Sequence, residues 1–574
     1  MPGPNQLADV QDPTGLRLLQ MPVTFRNLYS HPRAFAVFVL ATVSLLCFLP
    51  VLMWGPPTDS PDRAHHVQLV NAFFTSFQNG TVLPDWVYPE NGGYGSVTVR
   101  FYPPLFHVSA ALFQLVLRRM DWAIFAASTF WSLIGCWGIY LWLKDLVGGR
   151  FAPLTGAIMF ALSPYHLNQF YNSFLLGEFV SLSVLPFAFL FIRRVCNDGG
   201  AKNVVGLTSA ISALVLSNIP QAVVCFPFLG LYALTCLERG RTFRQAAMLV
   251  VSGILSAACT AFYWVRVVAE MSWIHVSEPN TDPNYDFRNN FLFSSTDVVG
   301  EGIGFASIMV ALLVMIVCVL LFVSGKYKSV IGDRQMIGPI AMFILSIFML
   351  LPFSRFVWEA FDLLQRVQFP WRFLAVVSLT ASILMAYAMT AITSELMQKN
   401  RPIVLIMIGC VFILATFSIK QVILGASYSE TGAFNKLADD AVSGEGLYHW
   451  WPVWANKNTF DERQQVLADG RQVEIDRWDR EAREFSVSSG EPATVRTAIL
   501  YYPWWRVEVN GIEVATKDLG GALAFDIGRK NSACTVTFSE PSYTGISRGV
   551  SAISILCVIL SFGAASFRKQ FSYE

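Results

Sequence analysis

Asp62, His65 and His66 follow Pro61, a favoured first-turn residue, at positions i, i+3 and i+4. A helix opening there carries a carboxylate and two imidazoles on one face. The aspartate can serve as general base or help hold a divalent cation, with Asp62 and His65 as candidate ligands, and imidazole can ligate or relay a proton. A plain helix start, with an acid favoured by the dipole and two interfacial histidines, fits the same spacing. Arg100, Tyr102 and Pro103-Pro104 form a second group at the entrance to a short apolar stretch. The arginine fork matches phosphate oxygens, and interfacial anchoring is the competing role. The third group is Ser163-Pro-Tyr165-His166 with Glu178, an acid opening an otherwise apolar segment. An acid so placed faces a cavity or a partner, by catalysis or by pairing with an arginine. Gln368-Phe-Pro-Trp371-Arg372 is the fourth, pairing an aromatic suited to the interfacial belt with another phosphate-matching cation. Tyr263-Trp264 and Arg266 add aromatic and cationic character. The expected catalytic set is Asp62, His65 and Glu178; the expected binding set is His66, Arg100, Tyr102, Tyr165, His166, Gln368, Trp371 and Arg372.

These groups need elements to hold them, and composition says which kind. Of 574 residues, 54% are hydrophobic and only 14% charged, and mean hydropathy is +0.47. Soluble domains carry about 25% charged residues, so the chain is expected to be a polytopic α-helical membrane protein. A net charge of +1 gives no support for nucleic acid as a partner. The polar, Gly- and Pro-rich stretch Asp59–Pro104 cannot lie in hydrocarbon, where unpaired backbone is untenable. Most cysteines sit in apolar runs as small hydrophobes, and Cys534 alone in the hydrophilic region leaves that region without an internal disulfide. The first apolar run, near Ala34, lacks a small-residue cleavage site and reads as a retained anchor.

Basic clusters mark the cytoplasmic ends of spans. If Pro104–Leu117 dips or lies at the surface without crossing, one scheme satisfies them. Crossings then fall at Ala34–Trp54, Trp122–Leu143, Phe151–Pro164, Leu175–Ile192, Val204–Asn218, Gln221–Leu237, Ala246–Trp264, Ile303–Val323, Ile337–Leu351, Phe373–Thr393, Ile403–Ile419 and Ile546–Phe567. The expected organisation is a cytoplasmic tail (1–33), a multi-helix transmembrane domain (34–421) with an outer loop at 55–104, and an extracytoplasmic β-rich domain (422–545). A final helix (546–567) and a cytoplasmic tail (568–574) complete about 12–13 transmembrane helices. Span middles are almost free of ionisable residues, which argues against an ion-coupled carrier.

The later half of the hydrophilic region alternates apolar and polar residues, as strands do. Val507 and Val509, then Asn510-Gly511, then Ile512 and Val514 predict a hairpin. Tyr501-Tyr-Pro-Trp-Trp505 is either the core of a small β-sandwich or a sugar-stacking platform.

The order Asp62…His65, Leu83-Pro-Asp-Trp86, Gly93-Tyr-Gly95, Tyr102-Pro-Pro, Pro164-Tyr-His166 with Glu178, Phe262-Tyr-Trp264 and Gln368-Phe-Pro-Trp-Arg372 resembles bacterial membrane proteins labelled 6-pyruvoyl-tetrahydropterin synthase-related. The chain has no soluble pterin-synthase core or zinc-type His cluster, so no pterin chemistry is carried over. More broadly, the layout resembles the GT-C glycosyltransferases, with many helices, a large acidic first outer loop and a C-terminal outer domain. That resemblance implies transfer of a sugar from a polyprenyl-phosphate-linked donor to a glycan or lipid acceptor of the envelope, at the outer face of the bacterial inner membrane. Asp62 matches the loop acid, and Arg100 and Arg372 would hold the donor phosphate. The first loop departs from the pattern in having no Asp-x-Asp, since Asp59 and Asp62 are three apart, which puts a divalent cation in doubt. No other cofactor is implied. The rival readings are a non-catalytic protein that binds or translocates lipid-linked polysaccharide, and a membrane scaffold.

Overall fold

The structure is a computed structural model that describes residues 31–58, 62–88, 90–149, 151–277, 283–292, 334–393, 416, 419–439, 448–479 and 482–570. Among them, seven helices are long and apolar enough to cross a membrane. They are Pro32–Trp54, Met120–Val147, Leu176–Asn197, Ile219–Cys236, Thr242–Cys259, the segment Pro370–Tyr387 and Ser542–Gly563. An eighth candidate, Arg334–Leu350, is followed by Pro352–Ala360 at a bend of 90°. Pro352 explains the break, since proline cannot extend the hydrogen-bond ladder of the preceding turn. The expected spans at Phe151–Pro164 and Val204–Asn218 appear as helices Phe151–Ala161, of 11 residues, and Ala201–Val215, of 15. Both are shorter than the roughly 20 residues a perpendicular crossing needs. Ile303–Val323 and nearly all of Ile403–Ile419 lie outside the described residues.

Leu105–Leu117 is a 13-residue helix, too short to span. It is entered from Pro104 and ends on Arg118, whose φ of 58° puts a non-glycine residue in the left-handed region. Met120–Val147 and Leu176–Asn197 pack at the centre of the helical domain, around Trp142, Phe189 and Tyr232, where the Trp142 indole N–H donates to the Tyr232 hydroxyl at 2.9 Å.

The C-terminal domain is antiparallel throughout. Its strands are β1 (Val466–Leu467), β2 (Val473–Trp478), β3 (Ala482–Val487), β4 (Ala493–Leu500), β5 (Trp505–Val509), β6 (Ile512–Val514), β7 (Thr516–Leu519), β8 (Ala522–Ile527) and β9 (Ser532–Phe538). They form one sheet of order β1-β4-β8-β7 and another of order β2-β3-β9-β5-β6. The hairpin at Asn510-Gly511 is present, with Val509 opposite Ile512 and both turn residues at positive φ, 52° and 76°. That is the geometry of the tight hairpin turn that Asn-Gly favours. Tyr502 and Trp505 are core residues of this domain.

The first loop is part of the same core. Trp86, Tyr94, Val97 and Phe101 are buried with Tyr502, Trp505 and Val507, and the Leu500 N–H donates to the Tyr94 carbonyl at 2.9 Å. Gly95 permits this: at φ 81°, a Cβ there would meet the Trp86 indole nitrogen at 1.8 Å. Loop and β-domain therefore lie on one side of the helices.

Candidate functional site

The helix Asp62–Gln78 opens with Asp62, and the i, i+3, i+4 spacing buries His65 and His66 on its inner face. Burial pushes the Asp62 carboxyl above its ordinary range, and the nearby charges of His449 and Arg372 oppose the rise. Tyr102 stands among the same groups. Burial raises its phenol, as do the charges of Asp62 and Glu178, while Arg372 lowers it. Asp62, Tyr102, Glu178 and Arg372 thus share one electrostatic neighbourhood, assembled from the first loop, the start of Leu176–Asn197 and the start of the late helix.

The histidines continue inward from Tyr102. Its hydroxyl lies 3.5 Å from His66 Nε2, and His66 Nδ1 is hydrogen-bonded to His107 Nε2 at 2.9 Å. His65 packs its ring against Tyr102 and Trp450, at 5.6 and 6.5 Å between centroids. Burial holds His65 down to about 4, so it is neutral at physiological pH. His65 Nδ1 is 4.0 Å from the buried Glu90, whose carboxyl burial lifts to about 7.

Glu178 is completely buried and its two oxygens are spoken for. The Tyr165 hydroxyl donates to one, and Arg372 Nε donates to the other at 3.3 Å. Arg372 Nη1 donates to the Val367 carbonyl. Nη2 makes no hydrogen bond among the described residues, while the guanidinium lies over the Phe369 and Trp371 rings at 5.2 and 5.8 Å. Gln368 holds the turn before them in a left-handed conformation, φ 69°, the kind of backbone strain found at functional sites.

Some expected site residues go elsewhere. His166 is not at the site: its ring sits between Phe160 and Phe179, at 5.0 and 4.7 Å. Tyr165 turns to Glu178, while His166 packs among these rings. Arg100 is the larger correction. It is fully buried, with Nε and Nη2 donating to Glu270 at 2.7 and 2.6 Å and Nη1 donating to Glu540 at 2.6 Å. The Tyr502 and Tyr543 hydroxyls and the Trp504 indole N–H also donate to Glu270. Arg266 joins this cluster beside Asp85 and Glu540, and Arg548 donates to Asp85 at 2.6 Å. With its fork filled by carboxylates, Arg100 has no face left for a phosphate. Asp62 and His65 do not form a metal centre either: among the described residues no three His, Cys, Asp or Glu side chains are grouped to hold an ion.

Sequence reasoning missed Glu90, His107 and His449. A histidine three residues into the short apolar helix was a readable signal for His107. His449 had none, because only the folded chain brings the segment before β1 to Asp62.

No family model and no curated protein matches the chain, so the narrower pterin-synthase-related resemblance finds no match. Among solved structures, the chain is similar to arabinofuranosyltransferase AftD from Mycobacteria, at 14% identity and a TM-score of 0.47 over 68% of this chain and 26% of that one. The chain thus spans about a quarter of AftD's length. It is also similar to ArnT from Cupriavidus metallidurans bound to undecaprenyl phosphate, at 12% identity and a TM-score of 0.40 over 71% of this chain and 77% of that one. A third is the oligosaccharyltransferase AglB from Archaeoglobus fulgidus in complex with an inhibitory peptide and a dolichol-phosphate, at 10% identity and a TM-score of 0.38 over 73% and 57%.

Proposed function

We propose that this protein is a membrane glycosyltransferase that moves a sugar from a polyprenyl-phosphate-linked donor to an envelope acceptor at the outer face of the bacterial inner membrane. The supporting observation is that Asp62 and Tyr102 of the first loop lie within electrostatic reach of Arg372, which a distant part of the chain supplies. Asp62 orients an acceptor hydroxyl and takes its proton, and the raised affinity of a buried carboxylate for protons suits that role. The acceptor oxygen bonds to the anomeric carbon as the bond from that carbon to the phosphate oxygen breaks. The electron pair leaves with the polyprenyl phosphate, whose charge the free edge of Arg372 stabilises. Glu178 acts as a positioning residue: with both oxygens engaged, it fixes the guanidinium for the phosphate. His65 and His66 pack behind Tyr102 and hold it in place.

The test is Asp62→Asn in purified, folded protein given a polyprenyl-phosphate-linked sugar. Transfer is expected to fall by about 100-fold or more, with the thermal midpoint unchanged. Transfer at the wild-type rate would remove Asp62 from the chemistry.

A further inference from the structure

Two cavities stand apart from the Asp62 site, at opposite ends of the helix Met120–Val147. The one at its C-terminal end, about 720 Å³, includes Arg193, Arg194 and Lys202. Both of its arginines are already engaged. Arg194 Nε donates to Asp145 at 2.7 Å, and Arg193 Nη2 donates to the Asp145 carbonyl and to Gln335, both at 3.0 Å. The cavity at the N-terminal end is different. It measures about 770 Å³ and opens between Asp62–Gln78, the end of Leu105–Leu117 and the helix Ala433–Asp439.

Its lining is largely polar and cationic, with one aromatic ring. Gln78 and Gln114 offer carboxamides, as does Asn71, whose Nδ2 reaches the Ala438 carbonyl only at 3.5 Å. Phe74 offers the aromatic ring, and Arg118 and Arg119 offer cations, whereas the Asn435 carboxamide is engaged by the Met120 N–H and by Asp121. Gln114 is only 7% exposed, yet its Oε1 accepts no hydrogen bond among the described residues. Arg118 is held in its left-handed conformation by its N–H donating to the Gln114 carbonyl at 2.8 Å. Its guanidinium is exposed and makes no hydrogen bond or ion pair among the described residues. Arg119 reaches Asp121 only at 3.5 Å. A carboxamide presents donor and acceptor together, which matches neighbouring hydroxyls. The arginine fork matches a phosphate or carboxylate, and an aromatic ring covers the apolar face of a pyranose.

We propose that this cavity is a subsite for an anionic sugar, a phosphate- or carboxylate-bearing unit of the acceptor glycan. Naming the ligand as acceptor rests on the transferase reading; the site chemistry does not. Gln78 is sixteen residues beyond Asp62, about 24 Å along the helix, so the subsite grips the glycan several sugars from its reacting end. A phospholipid with a polyol headgroup shares this chemistry, and the test separates the two sources.

The full-length protein in detergent is titrated calorimetrically with mannose 6-phosphate, mannose and inorganic phosphate. Mannose 6-phosphate is expected to bind about tenfold more tightly than either component. Arg118→Asn keeps a residue that tolerates the left-handed backbone, and Gln78→Ala alters an exposed position. Each is expected to weaken binding by about fivefold or more. Equal binding of phosphate and mannose 6-phosphate, or no change in both variants, overturns the proposal. Nanodiscs of phosphatidylcholine with about one-third phosphatidylglycerol are expected to leave the affinity as in phosphatidylcholine alone; loss of binding there assigns the site to lipid headgroups and overturns it. Asp62→Asn should bind mannose 6-phosphate as wild type does. Failure of the transferase reading shows as retained transfer in that variant, and failure of the subsite as lost selectivity in wild type.

Discussion

Two buried charge clusters, both built on arginine, organise this protein and differ in how completely they are satisfied. Around Arg100, the Glu270 and Glu540 carboxylates take every arm of the guanidinium, and Tyr502, Trp504 and Tyr543 fill the remaining acceptor sites of Glu270. Although burial raises it, the Glu540 carboxyl is held below its ordinary range by Arg100, by a hydrogen bond with Asp85 and by Arg266. Around Arg372, the fork is fixed by Glu178 and Val367, and Nη2 makes no hydrogen bond among the described residues. A closed cluster holds parts together, and an open one holds a place for something else. Position near a membrane surface does not distinguish the two; the hydrogen-bond inventory does.

The comparison is sharpest where the arginines are exchanged. Arg100→Met strands the buried Glu270 and the partly buried Glu540 and is expected to cost about 3–5 kcal/mol of stability, seen as a lower thermal midpoint. Stability within about 1 kcal/mol of wild type would break the claim that this cluster is structural. Arg372→Lys keeps the charge and loses the planar fork. We expect transfer to fall about tenfold, chiefly through a higher KM for the donor, with a much smaller change in stability. A large stability loss with unchanged KM would place Arg372 beside Arg100 as structure. The smallest effect concerns Glu90, a buried acid in neither cluster. Burial raises it to about 7, so the stability tied to its protonated form is full below the ordinary carboxylate range and is lost as pH rises through about 7. Glu90→Gln should therefore melt above wild type at about pH 8 and level with it at about pH 4. Equal midpoints at both would show that Glu90 is hydrated.

Much of the fold was legible because its signals are local. Hydropathy placed Pro32–Trp54, Leu176–Asn197 and the late helix Ser542–Gly563, run length marked Pro104–Leu117 as a short apolar helix, and Asn510-Gly511 set a hairpin register. Glu178 and Arg372 stood out as candidates for a related reason: charged groups beside apolar spans must be accounted for. The partners were not legible. Arg100 and Arg372 each precede an apolar helix and are flanked by aromatic residues and proline, yet only tertiary contacts give one two glutamates and the other one. His166 was not readable because tertiary packing alone sets its place between Phe160 and Phe179, and His449 because its neighbour lies at the far end of the chain.

The Arg100 cluster also bears on the order in which the molecule can be completed. Arg100 is made early, whereas its partner Glu540 follows 440 residues later. Until it arrives, the loop connecting Asp62 to the short helix lacks its anchor, and a buried guanidinium lacks half its counter-charge. The first loop is therefore anchored only after the β-domain has been made, and a chain truncated after the helices before it would lack that anchor.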